Sequence, residues 1–169
     1  MSNVQFEQGL SVENDVSKYF INHVHATIEQ DMREHWDIRG TLYSNNKIYF
    51  NKKFDVKSIK RINRYDPTYN ENFHWVEIAS VYDEKDDIKN QKNGWLYGEA
   101  DYIIFEVLDY YIIVDRQRLM EFIEKKSISD EVKSVKDLYV KYQRKGRKDI
   151  VVLVKTIDLM IILDDFIKK

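Results

Sequence analysis

The stretch "DYIIFEVLDYYIIVD", residues 101–115, limits the possible folds more than any other part of the chain. Ile103, Ile104 and Phe105 are consecutive, and side chains alternate between faces along a strand, so a strand here is apolar on both sides. Only a strand covered on both faces tolerates that. The pattern predicts a layered domain with a strand of this kind at its centre, and a second strand after the junction at Leu108-Asp109-Tyr110.

The flanking sequence supplies the other layers. Ser11 can cap a helix with Glu13 and Asp15 in its first turn, and Val16, Tyr19, Phe20, His23, Val24 and Thr27 continue at helical spacing to about residue 33. Residues 35–44 and 47–62 read as strands joined by a turn at Ser44-Asn45-Asn46-Lys47. Residues 73–82 read as a further strand, 83–94 as an exposed charged loop, and 95–115 as the two strands already described. Residues 116–126 form an amphipathic helix offering Leu119, Met120, Phe122 and Ile123 to a core, 137–156 a hairpin turning at Lys145-Gly146, and 157–169 a closing helix. The expectation is a single α+β or mixed α/β domain over residues 1–169, with a central mixed sheet flanked by helices.

Composition excludes several function classes. The 169 residues contain no cysteine, which removes disulfides, thiolate nucleophiles and Cys-ligated zinc and suits a reducing compartment. The N-terminus lacks a basic and apolar leader, and "IVVLV" and "LMIIL" are too short to span a bilayer, so a cytoplasmic protein with no membrane partner is expected. There is no Gly-rich phosphate loop, nucleophile elbow or His-x3-His spacing, which disfavours dinucleotide enzymes, P-loop ATPases, serine hydrolases and zinc sites of that kind. Net charge is −2, so any nucleic acid must be held by a local basic surface. Two such places exist: Lys57, Lys60, Arg61 and Arg64, and the denser Arg144, Lys145, Arg147 and Lys148, for which a solvated loop is the competing reading. Most tyrosines, including Tyr19, Tyr102 and Tyr111, fall in periodic apolar segments and read as core.

Asp55-Val56-Lys57 places a carboxylate and an ammonium on one face of a strand, as i and i+2 neighbours. The spacing alone carries no weight: composition predicts roughly three acid-x-Lys triplets, and Asp83, Asp87, Glu124 and Glu131 begin others. What distinguishes Asp55 is the hairpin, because folding the chain at Asn45-Asn46 brings Asp37 close to opposite it. Carboxylates so placed repel unless a cation lies between them, and Mg²⁺ suits such a pair, with the Val56 carbonyl as a further ligand. Lys57 could then orient a water and steady charge on a phosphate. Counted at about 100° per residue, Glu13 falls on the apolar face of its helix, where it is either a third acid of the site or a first-turn carboxylate at the helix dipole.

Glu13 on a leading helix, Asp37 on one strand and Asp55-Val56-Lys57 on the next resemble the core of the PD-(D/E)xK nuclease superfamily over about residues 10–65. "WVEI", "GWLYGEADYIIFE" and "YYIIVDRQRL" extend a likeness to small phage-encoded nuclease-like proteins. The resemblance implies a restriction-endonuclease-like core and Mg²⁺- or Mn²⁺-dependent hydrolysis of DNA in a host-cell cytoplasm. Asp37 and Asp55 would be the metal ligands and Lys57 the base or water-orienting group. No Pro precedes Asp37, and a strand rather than a helix follows the Lys-bearing strand. A rival alignment takes Asp55 and Glu77 as the acids, with Ala79 at the lysine position, and keeps Glu77 as an additional ligand. Asp101 reads as structural. RNA as substrate and a homodimer with two cutting sites stay open. From a different class, the same fold could be a non-catalytic module that binds nucleic acid or a host protein.

Overall fold

In the computed structural model, which describes residues 3–63, 65–81, 92–127, 129 and 131–169, the chain begins with α1 (Asn3–Ser17), β1 (Phe20–His25), α2 (Ile28–Glu34), β2 (Ile38–Tyr43) and β3 (Ile48–Lys57). Next come β4 (Arg61–Asn63), β5 (Asp66–Tyr69), β6 (Phe73–Ala79), a 3-10 turn at Trp95–Tyr97, β7 (Tyr102–Glu106) and β8 (Tyr110–Asp115). The chain closes with α3 (Arg116–Lys126), β9 (Tyr142–Gln143), β10 (Ile150–Lys155), α4 (Thr156–Ile161) and β11 (Asp165–Lys168). A six-stranded mixed sheet runs β1-β2-β3-β7-β8-β11, and a smaller one runs β6-β10-β9. Within the large sheet β3 and β7 are parallel and the other neighbours antiparallel.

The run at 103–105 lies at the centre of this arrangement. Ile104 packs with Phe54, Val56, Ile113 and the α1 residues Val12 and Val16 on one face. On the other, Ile103 and Phe105 meet Val76 and Ile78 of β6, Val152 and Val154 of β10, and Leu119 and Ile123 of α3. The fold is thus mixed α/β, but the second face is covered mainly by a sheet and not by helices alone. Met120 and Phe122 pack at the margin of that core.

Three expected elements differ. The first helix starts at Asn3 and ends at Ser17, so Ser11 is not its cap and the residues from 20 to 34 form β1 and α2. Of β1, only Phe20 is buried, and an edge strand so exposed carries little period-2 signal. The sequence Thr27-Ile28-Glu29-Gln30 does announce α2: the Gln30 N–H donates to Thr27 Oγ1, and the Thr27 N–H to Gln30 Oε1, a capping box. Residues 95–97 are a 3-10 turn rather than strand. The closing helix stops at Ile161 because the tail pairs with β8 instead, Asp165 with Ile113 and Ile167 with Tyr111. The expected loop over 83–94 lies, as far as residue 91, outside the described residues, as do the triplets beginning at Asp83 and Asp87. No helix among the described residues is long and apolar enough to cross a membrane.

Ile104→Ala should lower unfolding free energy by about 2–5 kcal/mol, because the side chain is fully enclosed. Urea denaturation measures this, and a loss below about 1 kcal/mol would contradict burial at the sheet centre.

Candidate metal-binding and catalytic site

The β2–β3 hairpin sets the acids by register, with one irregularity. Next to the turn Tyr43 pairs with Ile48 and Leu42 with Tyr49. Continued unbroken, that ladder would set Asp37 against Phe54 and Asp55 against Trp36. A bulge between Gly40 and Leu42 moves β3 on by one residue, so the ladder ends with Ile38 against Phe54, and the Asp37 carboxyl meets that of Asp55. Asn51, at φ 48, takes the left-handed conformation the bulge needs. Beyond it the Asp37 N–H donates to the Phe54 carbonyl at 2.8 Å. Asp37 Oδ2 accepts from the Val56 N–H at 2.6 Å. Val56 therefore enters the site through its amide, which orients the Asp37 carboxylate.

Asp55 is 1% exposed. Its Oδ1 receives the Lys57 ammonium at 2.6 Å, whereas Oδ2 is buried with no hydrogen-bond partner. Burial pushes the Asp55 carboxyl well above its usual range. Lys57 opposes the shift, and Asp37 reinforces it through its charge and a carboxyl–carboxyl contact. Burial would lower the Lys57 amine, but Asp55, Asp37 and Glu77 outweigh it and raise it. Lys57 is accordingly an ammonium, with Nζ 4.9 Å from the centre of the Trp95 ring.

Glu13 lies in the C-terminal half of α1, not in a first turn, so the helix dipole gives its charge no support. Burial, then Asp37 and Asp31, push its carboxyl up to about 7 against the pull of Lys57. Asp31 of α2, which was not among the expected site residues, is also raised, by burial and by Asp37, with Lys57 and His35 opposing. Its signal was the capping box, since a helix starting after Thr27 brings Asp31 back beside the strand that follows.

Glu77 stands on β6, in the smaller sheet. Its Oε1 accepts from Ser80 Oγ at 2.8 Å, and its charge reaches both Lys57 and Arg144. Lys60 donates to Ser58 Oγ at 2.9 Å and is lowered by burial and by Lys57, with Arg144 adding to the effect and Glu106 opposing. Arg144 pairs with Asp149. Lys60 and Arg144 thus approach the acids from two sheets. Lys145, Arg147 and Lys148 are exposed on the β9–β10 turn, where Gly146 has φ 74, and Arg61 is exposed on β4. Arg64 lies outside the described residues. Asp101 accepts from the Lys53 N–H at 2.8 Å, a structural role. His23 and His25, expected to diverge on a helix, share one side of β1 with ring centroids 5.4 Å apart.

The acid pair fits a hard divalent cation on one observation: a buried carboxylate oxygen with no donor, in contact with a second carboxylate, needs positive charge or a proton. Among the described residues no three His, Asp or Glu side chains converge as a complete ligand set. Mg²⁺ and Mn²⁺ do not require one, since one or two carboxylates with water and phosphate oxygens suffice for Mg²⁺. No protein-family model, curated protein or solved structure matches the chain.

The raised Glu13 carboxyl gives a pH signature. In the unfolded chain it titrates near 4.5 and in the folded one near 7, so between these values the native state holds the extra proton and stability falls as pH rises. Glu13→Gln should remove that slope. Relative to the variant, the wild type in EDTA should lose about 1–2 kcal/mol between pH 5 and pH 8, allowing for solvent screening. Denaturant titrations at the two pH values check this, and parallel curves would refute it.

Proposed function

We propose that the protein is a metal-dependent deoxyribonuclease that hydrolyses phosphodiester bonds with a PD-(D/E)xK-type constellation of Asp37, Asp55 and Lys57. The observation that carries this reading is the contact of the Asp37 carboxyl with a buried Asp55 whose Oδ2 has no donor, beside an ammonium on the same strand. The element order supports it, with α2 as an insertion: α1 with Glu13, β1, α2, Asp37 at the entry to β2, then Asp55-Val56-Lys57 on β3. The connection after β3 differs from the helix expected of the superfamily, since a hairpin and the small sheet intervene before β7 returns parallel to β3.

Asp37 and Asp55 would hold Mg²⁺ or Mn²⁺, which when bound supplies Lewis-acid polarisation of the scissile phosphate. Lys57 is raised, not lowered, so it acts as a donor to charge developing on phosphate and not as the base. Glu13, at about 7, is the carboxyl best matched to accept a proton from the attacking water near neutral pH. Asp55 and Asp37, with Glu77 of β6 adding least, hold Lys57 in its charged form, and Lys60 and Arg144 are placed to position flanking phosphates.

With Mn²⁺, purified protein should cut plasmid DNA. Asp55→Asn and Lys57→Ala should each lower the rate by at least about 100-fold, Asp55→Asn with the thermal midpoint kept and Lys57→Ala with a lower midpoint, since it leaves the buried Asp55 unpaired. Calorimetry should show Mn²⁺ uptake by the wild type, lost in Asp55→Asn. Cleavage that survives Asp55→Asn would remove the site assignment, and absence of both metal uptake and cleavage of DNA and RNA would favour a non-catalytic binding module.

A further inference from the structure

The β4–β5 hairpin starts immediately after Lys60 and belongs to neither hydrophobic core. Its base is fixed: Ile59 is 3% exposed, and the Asn70 N–H donates to the Lys60 carbonyl at 2.7 Å. Past that base Ile62 is 53% exposed, Tyr65 81% and Tyr69 38%. Arg61 is the cross-strand partner of Tyr69, which sets a guanidinium beside a phenol on one face. A two-stranded sheet with its large side chains in water gains little folding energy from them.

We propose that this hairpin is a base-stacking arm that directs the adjacent site to nucleic acid with unpaired bases, either single strands or the single-stranded side of a junction. The proposal rests on the nuclease reading of the Asp37–Asp55–Lys57 site. Duplex DNA hides the faces of its bases within its own stack, so exposed rings on a narrow arm find partners only where bases are unpaired. The cations match that occupant: Arg61 and Lys60 at the base of the arm, with Arg144 after β9, offer positive charge to the backbone of a strand whose bases lie on the tyrosines. At a strand's rise the arm extends roughly 10 Å from Lys60 to Asn63, enough to engage a strand leaving the site.

Fluorescence anisotropy with a labelled oligonucleotide in EDTA, single-stranded or annealed to its complement, tests the arm without any cleavage. The wild type should bind the single strand roughly tenfold more tightly than the duplex. Tyr65→Ala/Tyr69→Ala should abolish that preference and leave duplex affinity and the thermal midpoint unchanged. Tyr65→Phe/Tyr69→Phe, which keeps both rings, should retain it, and Arg61→Ala should weaken both substrates and flatten the salt dependence. Equal wild-type affinity for both forms, or a preference that survives the alanine pair, overturns the proposal, as would be found if the arm docked a protein. Failure of the nuclease reading looks different: the single-strand preference stays while Mn²⁺ yields no cut.

Discussion

A single displaced residue in the β2–β3 ladder decides whether this protein has a site. Side chains alternate with period two, so a slip of one position would turn Asp55 and Lys57 toward α1 or leave Asp37 facing Phe54. The bulge at Gly40–Leu42 supplies the shift, and Asn51 supports it by accepting from Arg39 Nε at 3.0 Å. The other end of the hairpin is held from far along the chain. Asp165, 2% exposed, takes the Ser44 hydroxyl, the Asn46 N–H at 2.9 Å and the Asn46 side-chain amide at 2.8 Å. Burial alone would raise the Asp165 carboxyl, but these donors outweigh it and hold it low. The C-terminal strand thereby fixes the turn from which the register of the two acids is counted.

The site holds unfavourable electrostatics that the rest of the fold must offset. Asp55, Asp37, Glu13 and Asp31 crowd together with one ammonium among them. Such a cluster is destabilising without a cation or protons, and removing Lys57 would leave a buried carboxylate unpaired. The two hydrophobic clusters on either face of the large sheet provide the compensation. The central parallel pair β3–β7 is the rigid element to which Asp55 and Lys57 are attached.

The smaller sheet adds charged groups beside this polar edge. Its strands β6 and β10 close the apolar face over Ile103 and Phe105, and the same strands carry Glu77 and lead to Arg144 at the margin. Trp95 belongs to that core and also lies under the Lys57 ammonium, so packing and orientation of the charged group are one contact. Beyond the edge, the chain leaves β3 for the exposed hairpin, whose rings make no contribution to the core.

The local chemistry was legible from residue types alone. The doubly apolar run 103–105, the helix at 116–126 and the turn at 44–47 follow from periodicity and turn propensity, which are properties of neighbours in the chain, whereas the meeting of the two acids also needed the one-residue bulge. The extent of α1, the strand character of 20–25 and of the C-terminal tail, and the sheet that covers the second face depended on partners distant in sequence. Thus Val24 changes from a helical to an edge-strand position because β2 offers it a ladder, and Phe166 leaves a helical pattern because the edge of β8 is open. Asp31 joined the site for the same reason. Sequence spacing determines which residues share a face. Which faces meet, and how much charge is buried between them, is decided only when the sheets pack and water is excluded.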